Sequence, residues 1–133
     1  MSIGFMGFGE AARAFCDSLA PQGMSFTAYD ILLDREASAE AMRAAMRERN
    51  VTIAETPAGL RNADWIISAV TADQSLIAAR SLLPHLVQGQ VLIDLNSVSP
   101  GRKRETAAEV EAAGAVYLDM AVMAPVHPRG HRT

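Results

Sequence analysis

A single cysteine, Cys16, excludes an intramolecular disulfide and any cysteine-rich metal site. Histidine is almost as scarce, and His85, His127 and His131 lack the i, i+4 spacing of a helical zinc pair, so no metal site is expected. No apolar run approaches the length of a membrane span. The opening Met1-Ser2-Ile3 has neither a basic region nor a long apolar core, so it reads as a first strand rather than an export signal. A cytoplasmic location is the expectation. A basic surplus is missing too: 12 Lys and Arg stand against 15 Asp and Glu, with a pI near 5.5. That balance offers no cationic surface for nucleic acid, so neither nucleic acid nor membrane is expected as a partner. Internal repeats and low-complexity segments are absent as well.

What is present is a chain of 133 residues, half of them hydrophobic, with room for one domain and a real core over residues 1–133. Its most informative stretch is Ile3-Gly4-Phe5-Met6-Gly7-Phe8-Gly9-Glu10-Ala11-Ala12, an apolar strand, a glycine turn and a helix start. In the spacing Gly7-x-Gly9-x-x-Ala12 each small residue has a separate task. Gly7 permits the sharp turn, Gly9 lets a pyrophosphate approach the main chain, and Ala12 keeps helix and strand close. The amides of residues 7–12, Phe8, Glu10 and Ala11 included, then meet phosphate charge at a positive helix end. The plainer reading is an ordinary glycine turn.

Asp30 ends a second strand over 25–29 and lies about 20 residues beyond Gly9, the offset at which a carboxylate accepts hydrogen bonds from the adenosine ribose. A carboxylate there repels a 2′-phosphate, so NAD is favoured, while Arg35 leaves NADP open. A turn or helix cap is the plainer role for Asp30.

The rest of the chain keeps a strand-helix beat. A helix over 10–19 carries Ala11, Ala12, Phe15, Cys16 and Leu19 on its apolar face, which makes Cys16 a packing residue. A second helix over 35–49 places Ala37, Ala41, Met42, Ala45 and Met46 on the core side. A short strand at 51–54, a brief helix opened by Thr56-Pro57, and an apolar strand over 65–70 follow. Thr71-Ala72-Asp73 opens a helix bearing Leu76, Ile77, Leu82 and Leu83. Val70 and Thr71, at the carboxyl end of that strand, are expected to line a nucleotide cleft. A fifth strand over 91–95, a loop over 96–100, a helix to about residue 113 and a sixth strand over 116–118 complete the pattern. The Arg102-Lys103-Arg104 cluster reads as a solvated face, partly offset by Glu105 and Glu109. The beat implies a parallel sheet with right-handed crossovers and helices on both faces.

Taken together these residues resemble the nucleotide-binding domain of the β-hydroxyacid dehydrogenases, the group related to 6-phosphogluconate dehydrogenase. The likeness rests on residues 3–9, on Ala28-Tyr29-Asp30, and on Asp94-Leu95-Asn96-Ser97-Val98-Ser99-Pro100. Gly7-Phe8-Gly9-Glu10-Ala11-Ala12 and Asn96-Ser97-Val98-Ser99-Pro100 extend it to a phosphogluconate-dehydrogenase-like branch. The resemblance implies a Rossmann-type doubly wound sheet of about six strands and an NAD or NADP cofactor. It also implies hydride transfer from a small hydroxy acid, a sugar acid or phosphorylated acid included, with a lysine as general base. By the same resemblance Asn96 and Ser97 sit near nicotinamide and substrate, and Asn96 also counts among the cofactor contacts.

Two departures matter. In Asp119-Met120-Ala121-Val122-Met123-Ala124-Pro125, Met123 occupies the position of a family serine, which puts ordinary family substrates in doubt. The family's catalytic lysine lies on a long helix of a second, helical domain, and Lys103, the only lysine here, sits in a different context. No catalytic residue is therefore assigned within this chain, and the expectation is a cofactor half that is inactive or nearly so alone. A bared apolar surface would invite self-association into a homo-oligomer. The alternative is a stand-alone module that senses nucleotide or binds another protein. A methyltransferase also uses a glycine turn and an acidic residue, but Ala12 and the apparent strand order oppose it. Short-chain reductase chemistry lacks its Tyr-x-x-x-Lys pair, since neither Tyr29 nor Tyr117 has a lysine four residues on.

Overall fold

A computed structural model of the chain describes residues 1–70, 74–95 and 100–120. Ten regular elements alternate along it. They are β1 (Ser2–Met6), α1 (Glu10–Leu19), β2 (Ser25–Tyr29), α2 (Glu36–Glu48), β3 (Thr52–Ile53), β4 (Trp65–Ser68), α3 (Ser75–Leu82), β5 (Val91–Asp94), α4 (Pro100–Ala112) and β6 (Val116–Asp119). Short 3₁₀ turns fill several joints, among them Ile31–Asp34 and Pro57–Leu60.

The six strands form one parallel sheet in the order β3-β2-β1-β4-β5-β6. This is the doubly wound arrangement expected from the sequence. The chain builds outward from β1 to β3, returns to the middle, and builds outward again from β4. The direction in which the sheet is built therefore reverses between β1 and β4. Central position explains composition. In β1 Ile3 and Phe5 are fully buried, and in β4 Ile66, Ile67 and Ser68 are buried while Trp65, at the amino end, is 39% exposed. Phe5 stacks on Phe26 of β2 at 6.0 Å and meets the Phe8 ring edge-on at 5.8 Å.

The helices follow their stripes with one shift. In α1 Ala12, Ala14, Phe15 and Cys16 are buried, so Cys16 packs in the core as its position implied. Burial raises its thiol pKa to about 11, with Asp17 adding to the effect. In α2 the buried stripe is Met42, Ala45 and Met46, whereas Ala37 and Ala41 are exposed. Alanine gains little from burial and loses little from exposure, so it does not mark which face turns inward. The two methionines fix the rotation instead.

The amino end of the sheet is fastened by side chains. Buried Gln90 donates from Nε2 to the carbonyls of Ala63 at 2.6 Å and Leu60 at 3.3 Å, and its Oε1 accepts the Val87 N–H at 3.1 Å. Asp64 Oδ2 accepts the Ser2 N–H at 2.9 Å. At the other edge Tyr117 of β6 donates its hydroxyl to buried Asp94 of β5 at 2.6 Å, and Lys103 of α4 pairs with Asp119. Glu105 and Glu109 pair with Arg80 of α3, because that helix packs alongside. Among the described residues no helix is long and apolar enough to cross a membrane, and no group of three His, Cys, Asp or Glu side chains could hold a metal.

Candidate functional site

The turn after β1 is built by constraint. Gly7 has φ +95°, a region open to glycine at little cost, and a Cβ there would stand 2.5 Å from the Ala69 carbonyl oxygen and 2.8 Å from Val70 Cγ1. The loops leaving β1 and β4 thus touch through a position that tolerates no side chain. Gly7 N–H donates to the Tyr29 carbonyl at 2.7 Å, which ties the turn to β2 as well. Gly9 is the opposite case: a Cβ added there meets nothing within 4 Å. Its missing side chain leaves open space at the mouth of the sheet.

Gly9 is also the N-cap of α1 and supplies no capping side chain. The first-turn amides of the helix therefore lack the partner that Ser, Thr or Asp would give, and their partial positive charge faces outward. Arg13 N–H closes the first helical bond onto the Gly9 carbonyl at 3.0 Å. The exposed Glu10 completes this turn, with half-buried Ala11 and fully buried Ala12 behind it.

Asp30 sits at the carboxyl end of β2 with both oxygens engaged. Oδ1 accepts the Leu32 N–H at 2.9 Å, capping the turn Ile31–Asp34, and Oδ2 accepts the Phe8 N–H at 2.8 Å. The capping role considered from sequence is real, and it comes with a contact to the glycine turn that sequence did not suggest. Each oxygen keeps a further lone pair for an outside donor. Beside it, Tyr29 donates to Asp34 at 2.6 Å, and burial followed by that bond raises the phenol pKa well above its ordinary value.

A cleft of about 540 Å³ opens over the carboxyl ends of β1, β2 and β4. Gly7, Gly9, Asp30 and Val70, four residues singled out from sequence, line it together. Phe8 does not: its ring is fully buried and its amide is spent on Asp30. Glu10, Ala11 and Ala12 adjoin the cleft through the helix start and do not line it. Thr71, Asn96, Ser97 and Met123 lie outside the described residues.

Sequence reasoning missed the walls. Ile31, Leu32 and Pro57, with Ile77 and Ala78 of α3, make the cleft mostly apolar. Ile77 is 60% exposed and faces the cleft, as does Ile31 at 45%. Large apolar side chains left exposed across a concavity suit a flat, apolar ring system. A polarised, bare turn joined to an apolar slot, with a carboxylate between them, fits the three parts of a dinucleotide: phosphates, base and ribose.

Comparison with known proteins agrees with that geometry. Mitochondrial 3-hydroxyisobutyrate dehydrogenase of Rattus norvegicus is 28% identical over 125 residues, which cover 90% of this chain and 35% of that protein. The chain thus spans about a third of the length of such curated relatives. A conserved hypothetical protein from Sinorhizobium meliloti 1021 superposes with a TM-score of 0.94 at 34% identity, over all of this chain and 45% of the other. An imine reductase from Myxococcus stipitatus, solved in complex with NADP⁺, shares the fold at a TM-score of 0.74 and 23% identity, over 93% of this chain and 42% of its own. Residues 2–125 match the family described as the NAD binding domain of 6-phosphogluconate dehydrogenase, and the chain belongs to that family as a nucleotide-binding domain of the β-hydroxyacid dehydrogenase group.

Proposed function

We propose that this chain is the cofactor-holding part of a dehydrogenase that passes hydride between a small hydroxy acid and a nicotinamide dinucleotide. When bound, the nicotinamide supplies the hydride acceptor or donor. The chain's own residues bind and orient. The amides of the Gly7–Gly9 turn and of the first turn of α1 hold the pyrophosphate, Gly9 leaving the space it needs. Asp30 accepts from the adenosine ribose, and the apolar slot between Ile31 and Ile77 excludes water from the base. Val70 and Thr71 line the nucleotide cleft, and Asn96 and Ser97 hold cofactor and substrate beside the nicotinamide. NAD is preferred over NADP because the Asp30 carboxylate repels a 2′-phosphate, while Arg35 leaves NADP open.

The observation that carries the reading is the pairing at the mouth of the sheet of an uncapped helix start with a glycine whose missing Cβ leaves open space. In this reading the general base and most substrate contacts come from a second, helical domain, as the chain's share of its relatives' length supports. The 133 residues alone are then a binder with little or no turnover. Calorimetric titration of the folded chain with each nucleotide tests this. Binding of NAD in the micromolar to millimolar range, tighter than NADP, is expected, and folded protein that gives no heat with either refutes it.

A further inference from the structure

Arg13 has no part in the glycine fingerprint, yet it grips the turn at two points and α2 at a third. Its Nε donates to the Phe8 carbonyl at 2.9 Å, its guanidinium carbon lies 5.6 Å from the Phe8 ring centroid, and Nη2 reaches Met42 Sδ of α2 at 3.9 Å. From the other flank, Asp30 takes the Phe8 N–H. Phe8 is therefore held by a cation on its carbonyl and an anion on its amide, with its ring locked in the core.

A peptide unit is planar and trans, so its C=O and N–H point in opposite directions. With the Phe8 oxygen fixed on Arg13, the Gly9 N–H in the same unit must point away from Arg13. Among the described residues no acceptor takes that N–H, and Gly9 lines the cleft. We infer that Arg13 is a positioning residue that aims the Gly9 amide at the anionic linkage of a bound dinucleotide, without touching the ligand itself. The planar fork suits this role. One nitrogen serves the carbonyl, the guanidinium carbon lies over the Phe8 ring, and the far arm rests on a thioether. An ammonium could supply the first contact and not the other two together. The ligand class that profits is one carrying a pyrophosphate. A nucleoside alone does not reach the Gly9 amide, so it should be indifferent to Arg13.

This inference rests on the cofactor reading above, and its test separates the two. Arg13→Met and Arg13→Lys would be compared with the unaltered 133-residue chain in calorimetric titrations with NAD, ADP-ribose and adenosine, beside urea unfolding. In parallel, ¹⁵N relaxation of the Gly9 amide would be followed in the ligand-free proteins. For Arg13→Met, NAD and ADP-ribose affinity is expected to fall about tenfold or more, the worth of a hydrogen bond to a charged group. Adenosine binding should stay within about twofold, Gly9 should become more mobile, and Arg13→Lys should recover part of the loss. Equal losses for adenosine and NAD overturn the inference, as does a Gly9 amide unmoved by the substitution. If the unaltered chain binds neither NAD nor ADP-ribose, the cofactor reading fails, and the Gly9 relaxation still decides whether Arg13 orders the turn.

Discussion

Gly7 and Gly9 lie two residues apart in one turn, yet alanine should act on them in opposite ways. At Gly9 the backbone is extended, φ −86° and ψ −159°, and the new methyl meets no atom within 4 Å. Folding should be unharmed or gain about 0.4–1 kcal/mol, since alanine narrows the unfolded ensemble. In the proposed binding mode the same methyl stands where phosphate approaches the amides. Loss of one charge-assisted hydrogen bond, about 1.5–3 kcal/mol, would weaken NAD by about tenfold to a hundredfold. At Gly7 the residue is left-handed at φ +95°, and the methyl would come within 2.5 Å of the Ala69 backbone oxygen. The left-handed conformation costs about 1–2 kcal/mol and the overpacking about 1–3 kcal/mol more. Against a total stability of about 5–15 kcal/mol that is a large share. Urea unfolding followed by circular dichroism, with NAD calorimetry on the same samples, reads both effects. Gly9→Ala should keep its unfolding midpoint and lose ligand, and Gly7→Ala should lose its midpoint first. A Gly9→Ala protein with undiminished NAD affinity refutes the cradle, and a Gly7→Ala protein with an unshifted midpoint refutes the contact between the two loops.

Asp30→Ala leaves the Phe8 and Leu32 amides without their acceptor, so stability should fall by about 1–3 kcal/mol while NAD weakens more than NADP; equal calorimetric losses would remove the ribose assignment. Alkaline pH should destabilise the fold. Cys16, Tyr29 and Tyr117 all have raised pKa values, chiefly through burial, and all are neutral when protonated, so the unfolded chain ionises first. Their contribution is whole below the ordinary thiol value of 9.0 and drains away as pH climbs toward 11 and beyond, the tyrosines joining above 10.0. Cys16 alone accounts for about 2–3 kcal/mol of that loss. A urea midpoint that stays level from pH 9 to 11 contradicts this, and Cys16→Ala should flatten the first part of the decline. Met46→Ala, at a fully buried position of α2, should cost about 2–5 kcal/mol in the same unfolding assay, and a loss below that of a surface substitution would mean that the methionines do not set the helix rotation.

Much of the architecture was legible because punctuation and hydrophobicity coincide. Gly23, Gly89 and Gly114, all at positive φ, mark joints between apolar runs short enough to be strands, and Pro57 and Pro100 stand at turn and helix starts. The rotation of α2 was obscured by alanine, which fits either face. The cleft walls were illegible for a related reason. Ile31 and Ile77 carry the chemistry of core residues, and whether an isoleucine faces the interior or an open slot depends on what the rest of the chain leaves uncovered. The clamp on Phe8 was hidden because it joins Asp30, Phe8 and Arg13 through main-chain atoms, which leave no trace in side-chain pattern.

Gln90 and Asp64 fasten the underside of the sheet, while the cleft occupies its upper rim, a strand length or about 13 Å away. Perturbations so separated and without shared partners combine by simple addition. Robustness and recognition can therefore be tuned independently in this scaffold. A tighter weld beneath would raise thermal endurance without altering which nucleotide is chosen, and a remodelled rim would change that choice without loosening the foundation.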